Sequence, residues 1–431
     1  MMLRRLVPDL QPLRASRQLR LLVVGGMATS LGTQATLVAL PYQVYTQTRS
    51  ASLTGLLGAA ELGPLVLAAL VGGAWADRGD RRRVLLGIQT LLIALTAALT
   101  ALGFVGSTPV AVLFVLAGAL AGAGAVQNVA ESAIVPTLVS PELVPSALAL
   151  DFGLRALTQV VGPALAGVVI AAAGLGVAYA IDAASCLVLV AAVLRIGPQP
   201  PTTHVASDVG IGRSILDGLR FVRRQPALLG SFAIDLNAMA FGMPRALFPV
   251  LAVTVYNAGA AGAGLLYAAV SAGATIGALT TGWLRHARYL GRIVIVAVIA
   301  WGLAIAATGL TTSLWLAVTL LAVAGAADSI SAVCRSTINQ TVTPDAMRGR
   351  MSSVFSLVVT SGPRIGDVES GSIAGLAGAR ASVGIGGISC TLLVGVVALA
   401  FPALAAYDAH DVRAATHTDV ARTPNPSRLT A

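Results

Sequence analysis

Charged side chains recur inside long apolar stretches of this sequence. Asp151 and Arg155 are four residues apart, and Gln159 follows one helical turn later on the same face. Such groups can pair with each other, bind an anion or carry a proton, and each is costly to bury in hydrocarbon. The alternative for Asp151 and Arg155 is a structural salt bridge that locks the two halves of the chain together.

A second polar group lies in the latter half of the chain. The stretch Asp235–Arg245 has charged residues at both ends and includes Asn237, Gly242 and Pro244. The glycine and proline can break a helix and free backbone groups for a ligand, whereas the alternative is a kink that only bends the helix. We therefore expect a binding site at this break.

Four other positions are candidates. Glu61 has no cation nearby in the sequence, which suits a proton carrier, and the alternative is a cation supplied by another helix. Gln34 offers neutral hydrogen bonds, either to a substrate or as packing between helices. Asp328 and Arg335 are seven residues apart and share a helical face.

Other charged residues in apolar runs receive simpler interpretations. Arg364 and Asp367, three residues apart, are predicted to neutralise each other. Glu131 lies near the end of its apolar run and is predicted to bridge to a loop arginine. The sequence context of Asp182 indicates no role.

The composition determines the class of protein that carries these residues. Of 431 residues, 56% are hydrophobic and 11% are charged, whereas soluble proteins carry about 25% charged residues. This indicates an all-α membrane protein that crosses the bilayer many times. The apolar runs predict twelve transmembrane helices, at residues 20–46, 52–75, 84–105, 109–135, 144–173, 176–196, 227–254, 262–284, 292–310, 314–340, 350–376 and 381–406.

The distribution of arginine predicts the orientation. All 28 basic residues are arginine, and only Arg49 and Arg380 fall in the predicted outer loops. Because short basic loops stay on the cytoplasmic side, both termini are predicted to be cytoplasmic. The net charge of +10 is spread over these loops, so no nucleic-acid partner is expected.

The two halves of the sequence resemble each other. Gly55-Leu-Leu-Gly-Ala-Ala and Gly264-Leu-Leu-Tyr-Ala-Ala lie 209 residues apart, which predicts two pseudo-symmetric bundles of six helices. Binding at the interface between such repeats is typical of transporters. The predicted division is a cytoplasmic segment at 1–19, bundles at 20–196 and 227–406, a cytoplasmic linker with an amphipathic helix at 197–226, and a disordered cytoplasmic tail at 407–431.

Three short motifs indicate a family. The turn after the second apolar run reads Gly73-Ala-Trp-Ala-Asp77-Arg78-Gly79-Asp80-Arg81-Arg82, and Thr343-Pro-Asp-Ala-Met-Arg348-Gly-Arg350 precedes the eleventh. The fifth run contains Gly162-Pro163-Ala-Leu-Ala-Gly167. Together they resemble the loop signatures and the antiporter motif of the major facilitator superfamily, in its siderophore-exporter branch. Asp80 replaces the glycine of the usual loop pattern.

This resemblance implies a function. A member of this branch is expected to export a small molecule from the bacterial cytoplasm across the inner membrane by rocker-switch alternating access, as a proton antiporter. A catecholate siderophore is the implied substrate, with multidrug or macrolide efflux as the alternative. The loop residues are expected to form a cytoplasmic gate in which Asp77 latches the halves: Gly73, Asp77, Arg78, Arg81, Arg82, Arg348 and Arg350.

Other classes of function are less consistent with the sequence. The four histidines are isolated in loops and tails, the three cysteines lie singly in apolar runs, and no nucleophile or nucleotide-binding motif is present. We therefore expect neither an enzyme nor a metal or other cofactor. A receptor or scaffold that transports nothing remains an alternative. The expected partners are a small-molecule substrate, protons and membrane lipid, and the chain is expected to be a monomer.

Overall fold

A computed structural model describes residues 10–78, 80–106, 108–199, 211–344 and 347–408, and the side chains of 69–78, 211–215, 349, 352 and 353 lie outside the description. Within these ranges every regular element is a helix. The main helices are α1 (Arg17–Thr48), α2 (Ala51–Arg78), α3 (Arg81–Val105), α4 (Val110–Ile134), α5 (Val144–Leu194), α6 (Ile211–Arg223), α7 (Pro226–Phe241), α8 (Phe248–Thr254), α9 (Gly259–Thr280), α10 (Leu290–Leu310), α11 (Leu314–Val342), α12 (Arg348–Ala377) and α13 (Ala379–Ala400).

The helices are consistent with the predicted twelve crossings. Ten segments of the described chain are long and apolar enough to span a membrane. One of them, Pro141–Leu194, breaks at Gly174, where φ is 85°, and so supplies two crossings, which we call the first and second arms of α5. α12 is not among the ten because it carries several charged residues, yet its 30 residues are enough to cross.

Residues at the helix ends explain why the second and third helices meet in so tight a turn. The Asp80 side chain accepts hydrogen bonds from the backbone N–H of Arg82, at 3.0 Å, and of Gln199, at 3.1 Å. A glycine at this position could cap neither group, so the departure from the usual loop pattern has a structural reason. The guanidinium of Arg82 donates to the carbonyls of Val193 and Leu194, at 3.0 Å each, where α5 ends. We call this end of the molecule the arginine-rich end.

The two halves touch closely at the opposite end. α2 packs on α12 and α9 packs on the first arm of α5. A Cβ added to Gly55 would lie 2.7 Å from the Cα of Gly371, and one added to Gly264 would lie 2.9 Å from the Cα of Gly167. Only glycine allows such close approach of two helix backbones. The two copies of the sequence repeat thus make equivalent contacts across the interface between the halves.

The amphipathic linker helix α6 packs against the second half. Gly218 fits against Val354, the Asp217 carboxylate lies 3.6 Å from the Arg350 guanidinium, and Val222 is buried in the core. Leu216 remains exposed and is available to lipid. α6 is therefore attached to the start of α12.

Candidate functional site

A cavity of about 500 Å³ lies between the two halves. The first half contributes mostly apolar and hydroxyl side chains from α1, α2 and α4. The second half contributes α12, Tyr267 of α9 and the break between α7 and α8. The residues that matter for chemistry in its wall are Thr33, Thr36, Thr54, Glu61, Asn128, Arg245, Tyr267, Thr360, Arg364 and Asp367.

An ion pair crosses this cavity from one half to the other. Glu61 of α2 and Arg364 of α12 approach to 2.6 Å, measured from the carboxylate Oε2 to the guanidinium Nε. Glu61 is thus not a lone carboxyl; its cation comes from another helix. The prediction that Arg364 and Asp367 simply neutralise each other is incomplete, because the direct ion pair of Arg364 is with Glu61. The Asp367 carboxylate interacts electrostatically with Arg364 and also accepts the backbone N–H of Ala246 at 2.9 Å. Asp367 therefore stabilises the helix break beside the cavity.

Arg245 stands at that break. α7 ends at Phe241, and the chain turns through a short 3₁₀ helix, Arg245–Leu247, before α8. The Tyr267 hydroxyl donates to the Arg245 carbonyl at 2.9 Å, which fixes the backbone. The charged groups around its guanidinium include Asp367 and Arg364, but no carboxylate of the described residues forms an ion pair with it. A cation without a direct counter-ion therefore faces the cavity.

In the first half, Arg155 is held between two acids. Its guanidinium lies 2.8 Å from the Glu131 carboxylate of α4 and 2.9 Å from Asp151, its neighbour on α5. Glu131 therefore pairs with an arginine within the membrane, and the prediction of a bridge to a loop arginine is wrong. Because all three residues belong to the first half, Asp151 and Arg155 do not bridge the halves.

The second half has a similar arrangement around Arg335. This guanidinium is 4% exposed and lies 2.7 Å from Asp235 of α7 and 3.6 Å from Asp328, on the same helix. Asn237 donates to the backbone carbonyl of Cys390 at 3.0 Å, which ties α7 to α13. Of these four candidates, none lines the central cavity.

A second, polar pocket of about 250 Å³ lies inside the first half. Gln34, Gln159, Arg155 and Asp182 line it, and it shares Thr36 and other wall residues with the central cavity. Gly162 leaves room for the Gln34 side chain. The antiporter-like motif therefore serves packing in this structure: Gly162 and Pro163 contact Gln34 and Gly264, and Gly167 contacts Gly264.

The remaining predicted residues lie at the arginine-rich end. The Arg81 guanidinium donates to the Ala133 carbonyl of α4 at 3.2 Å, and Arg350 pairs with Asp217. Arg348 begins α12. The side chains of three predicted gate residues lie outside the description: Gly73, Asp77 and Arg78.

Comparison with known proteins gives the family. The transmembrane secretion effector family matches residues 8–426, nearly the whole chain. The chain belongs to the major facilitator superfamily. The enterobactin exporter EntS of Citrobacter koseri is 31% identical over 366 residues, which cover 83% of this chain and 85% of that protein. EntS of Shigella boydii serotype 4 is 31% identical over 372 residues, with coverage of 84% and 86%.

Solved structures share the fold of this major facilitator protein. A bacterial homologue of the iron transporter ferroportin, in an inward-facing state, aligns with a TM-score of 0.64 at 19% identity, over 89% of this chain and 98% of that chain. The nucleoside transporter NupG aligns with a TM-score of 0.70 at 14% identity, over 90% and 98%. The family match and the EntS relatives identify the chain as a membrane transporter of the superfamily, with exporters among its relatives.

Four charged residues at or beside the two cavities were not among the predicted site residues: Glu131, Asp182, Arg364 and Asp367. All four lie within apolar runs, and that position was the available signal. Their partners come from other helices, so spacing along the chain could not reveal them.

The ion pair between Glu61 and Arg364 should be measurable as a coupling energy. We expect Glu61→Gln and Arg364→Gln each to destabilise the purified transporter, and the double variant to lose less than the sum, with a coupling of about 0.5–3 kcal/mol. Thermal unfolding of the four proteins in detergent provides the measurement. The more exposed pair Asp217–Arg350 serves as the control and should couple by less than about 1 kcal/mol. Strictly additive losses for Glu61 and Arg364 would contradict the pairing.

Proposed function

We propose that this transporter exports an anionic, oxygen-rich small molecule from the bacterial cytoplasm, in exchange for protons. A catecholate siderophore fits this description. The observation that carries the proposal is Arg245, a cation that lines the cavity between the halves without a direct counter-ion. Guanidinium groups bind carboxylates and other oxyanions through paired, charge-assisted hydrogen bonds.

The four arginines within the predicted spans differ in whether an acid pairs with them, and this difference supports an anionic substrate. Arg155 and Arg335 are each held by two acids, so their charge is already balanced. Arg364 lines the cavity but has Glu61 as its partner. Arg245 is left to attract a ligand. The apolar wall opposite it, which includes Leu40 and Leu57, suits the aromatic rings of a catecholate.

The closed end of the interface supports export by alternating access. The halves pack tightly at the end opposite the arginine-rich loops, through Gly55, Gly167, Gly264 and Gly371. We assign the arginine-rich end to the cytoplasm because short basic loops resist translocation. The structure then corresponds to a state closed toward the outside, and a substrate reaches the cavity from the cytoplasm. Both termini lie on that side in this scheme.

Substitution of Arg245 tests the substrate class. With enterobactin as the probe, we expect Arg245→Gln to raise the KM for uptake into everted membrane vesicles about tenfold or more, because a hydrogen-bonded ion pair with the ligand is lost. Arg245→Lys keeps the charge but loses the paired geometry, so its KM should be intermediate. Arg195→Gln, an exposed arginine at the end of α5, serves as the control and should leave KM unchanged.

Two outcomes would contradict this assignment. Uptake of enterobactin by Arg245→Gln at the parental KM would show that this guanidinium does not bind the substrate. Transport of a macrolide, but not of enterobactin, by the parent protein would instead favour a drug efflux pump.

The residues at the arginine-rich end form the proposed cytoplasmic gate. In the present state Arg81 and Arg82 contact carbonyls within their own half, and Arg350 contacts the linker helix. When the halves rock and this end closes, we expect Asp77 to interact with the positive N-terminal end of α12. Gly73, Arg78 and Arg348 complete the charged loop and its partner.

The gate is tested with Asp77→Ala. We expect slower turnover and greater reactivity of a cysteine placed at Asn128, in the cavity wall, because the cytoplasmic end closes less often. The three native cysteines are replaced by alanine in every protein compared, because Cys186 lines the polar pocket beside the cavity. Glu142→Ala removes an exposed acid from a nearby loop and should change neither quantity. Unchanged turnover together with unchanged reactivity in Asp77→Ala would refute the latch.

A further inference from the structure

We propose that Asp182 is the carboxyl that binds the transported proton, in the polar pocket of the first half. This inference rests on the proposed exchange of substrate for protons and names the residue that carries the proton. Three acids that the sequence predicted as site residues are each paired with an arginine in the structure: Glu61, Asp151 and Asp235. Protonation of one of these acids would deprive its arginine of that counter-ion.

Asp182 differs from those acids in its surroundings. It lies on the second arm of α5 and is 3% exposed. Its carboxylate accepts a hydrogen bond of 2.5 Å from the Thr36 hydroxyl of α1, and among the described residues no arginine or histidine forms an ion pair with it. An ionised carboxyl in this position is costly to bury, whereas a protonated one is neutral.

Among the described residues that line this pocket, the one cation is Arg155. Gly26 of α1 lies beside Glu131 and Arg155, whereas Thr36 of α1 contacts Asp182. Ten helical residues separate Gly26 from Thr36, a rise of about 15 Å. Arg155 is already bound to Glu131 and Asp151, so it offers little compensation to a carboxylate at that distance.

The helices packed against Asp182 add no further counter-ion. The titratable residues of α1 lie toward its ends, with Arg17 and Arg20 at the start and Tyr42 and Tyr45 near the other end. The cations of α3 are Arg81–Arg83, at its start. On its own arm the titratable neighbours are Tyr179, whose hydroxyl donates to Gln43, and the buried Cys186. Exchange of a proton with water is therefore the way in which this group changes its charge.

The pocket gives that proton a route to the transport cavity. Three residues line both the polar pocket and the central cavity, so the two spaces adjoin each other: Thr33, Thr36 and Asn128. A hydronium ion that reaches Asp182 leaves its proton on a carboxylate oxygen and departs as water, and the reverse step releases the proton. Since Thr36 contacts Asp182 and also lines the central cavity, one hydroxyl meets both the proton site and the substrate space.

The experiment compares Asp182→Asn with Glu369→Gln. Glu369 is also a carboxyl within a span, has no ion pair among the described residues and lines neither cavity. In everted vesicles with enterobactin as the probe, we expect an imposed pH gradient to accelerate uptake by the parent and by Glu369→Gln. Asp182→Asn should keep exchange of enterobactin down its own gradient but lose the acceleration. Acceleration of Asp182→Asn equal to that of the parent would overturn the proposal.

A second measurement needs no substrate, so its failure is distinct from failure of the proposed function. Infrared difference spectra of the purified protein between high and low pH should contain a carboxylic-acid band that Asp182→Asn lacks and Glu369→Gln retains. If Asp182→Asn does not fold, Thr36→Val serves instead. It removes the hydrogen bond that favours the ionised form, and should shift the pH at which this band is half-developed. An identical band in Asp182→Asn, or an unmoved midpoint in Thr36→Val, would contradict the assignment.

Discussion

The cost of an ionised group within a membrane governs the arrangement of this transporter. An arginine or acid within a span needs a counter-ion, backbone partners or a cavity that admits water. Arg155 and Arg335 meet this requirement inside their own halves, and Arg364 meets it across the interface. Arg245 lies at the cavity wall instead. The same constraint thus distinguishes arginines that are paired with acids from Arg245, which lines the cavity and is proposed to bind the substrate.

Close packing of glycines determines where the halves meet. Gly55 and Gly264 occupy equivalent positions in the sequence repeat, and each contacts a glycine of the opposite half, Gly371 and Gly167. Backbones that approach this closely close one end of the interface while the cavity remains toward the other. Glu61 and Arg364 join the halves between that contact and the arginine-rich end. In the proposed alternating-access scheme, a change of state would separate the glycine contacts and rearrange this ion pair.

Much of this architecture could be predicted from the sequence, because the length of the apolar runs and the repeat that includes Gly55 and Gly264 can be read directly along the chain. The pairing of Asp151 with Arg155 was also accessible, since residues four apart share a helical face. The partners of Glu61 and Glu131 were not accessible, because they lie on other helices and depend on how the bundles pack. The gate around Asp77 remains a prediction, as does the site as a whole.

The most direct test of the account compares the stability of three variants, Arg155→Gln, Arg335→Gln and Arg245→Gln. Removal of one partner from a buried ion pair typically costs about 3–5 kcal/mol. The account predicts a loss of this size for Arg155→Gln and Arg335→Gln, measured by thermal unfolding in detergent, and little loss or a gain for Arg245→Gln, whose charge has no direct counter-ion. A loss for Arg245→Gln as large as the other two would contradict the claim that this arginine is free to bind a substrate.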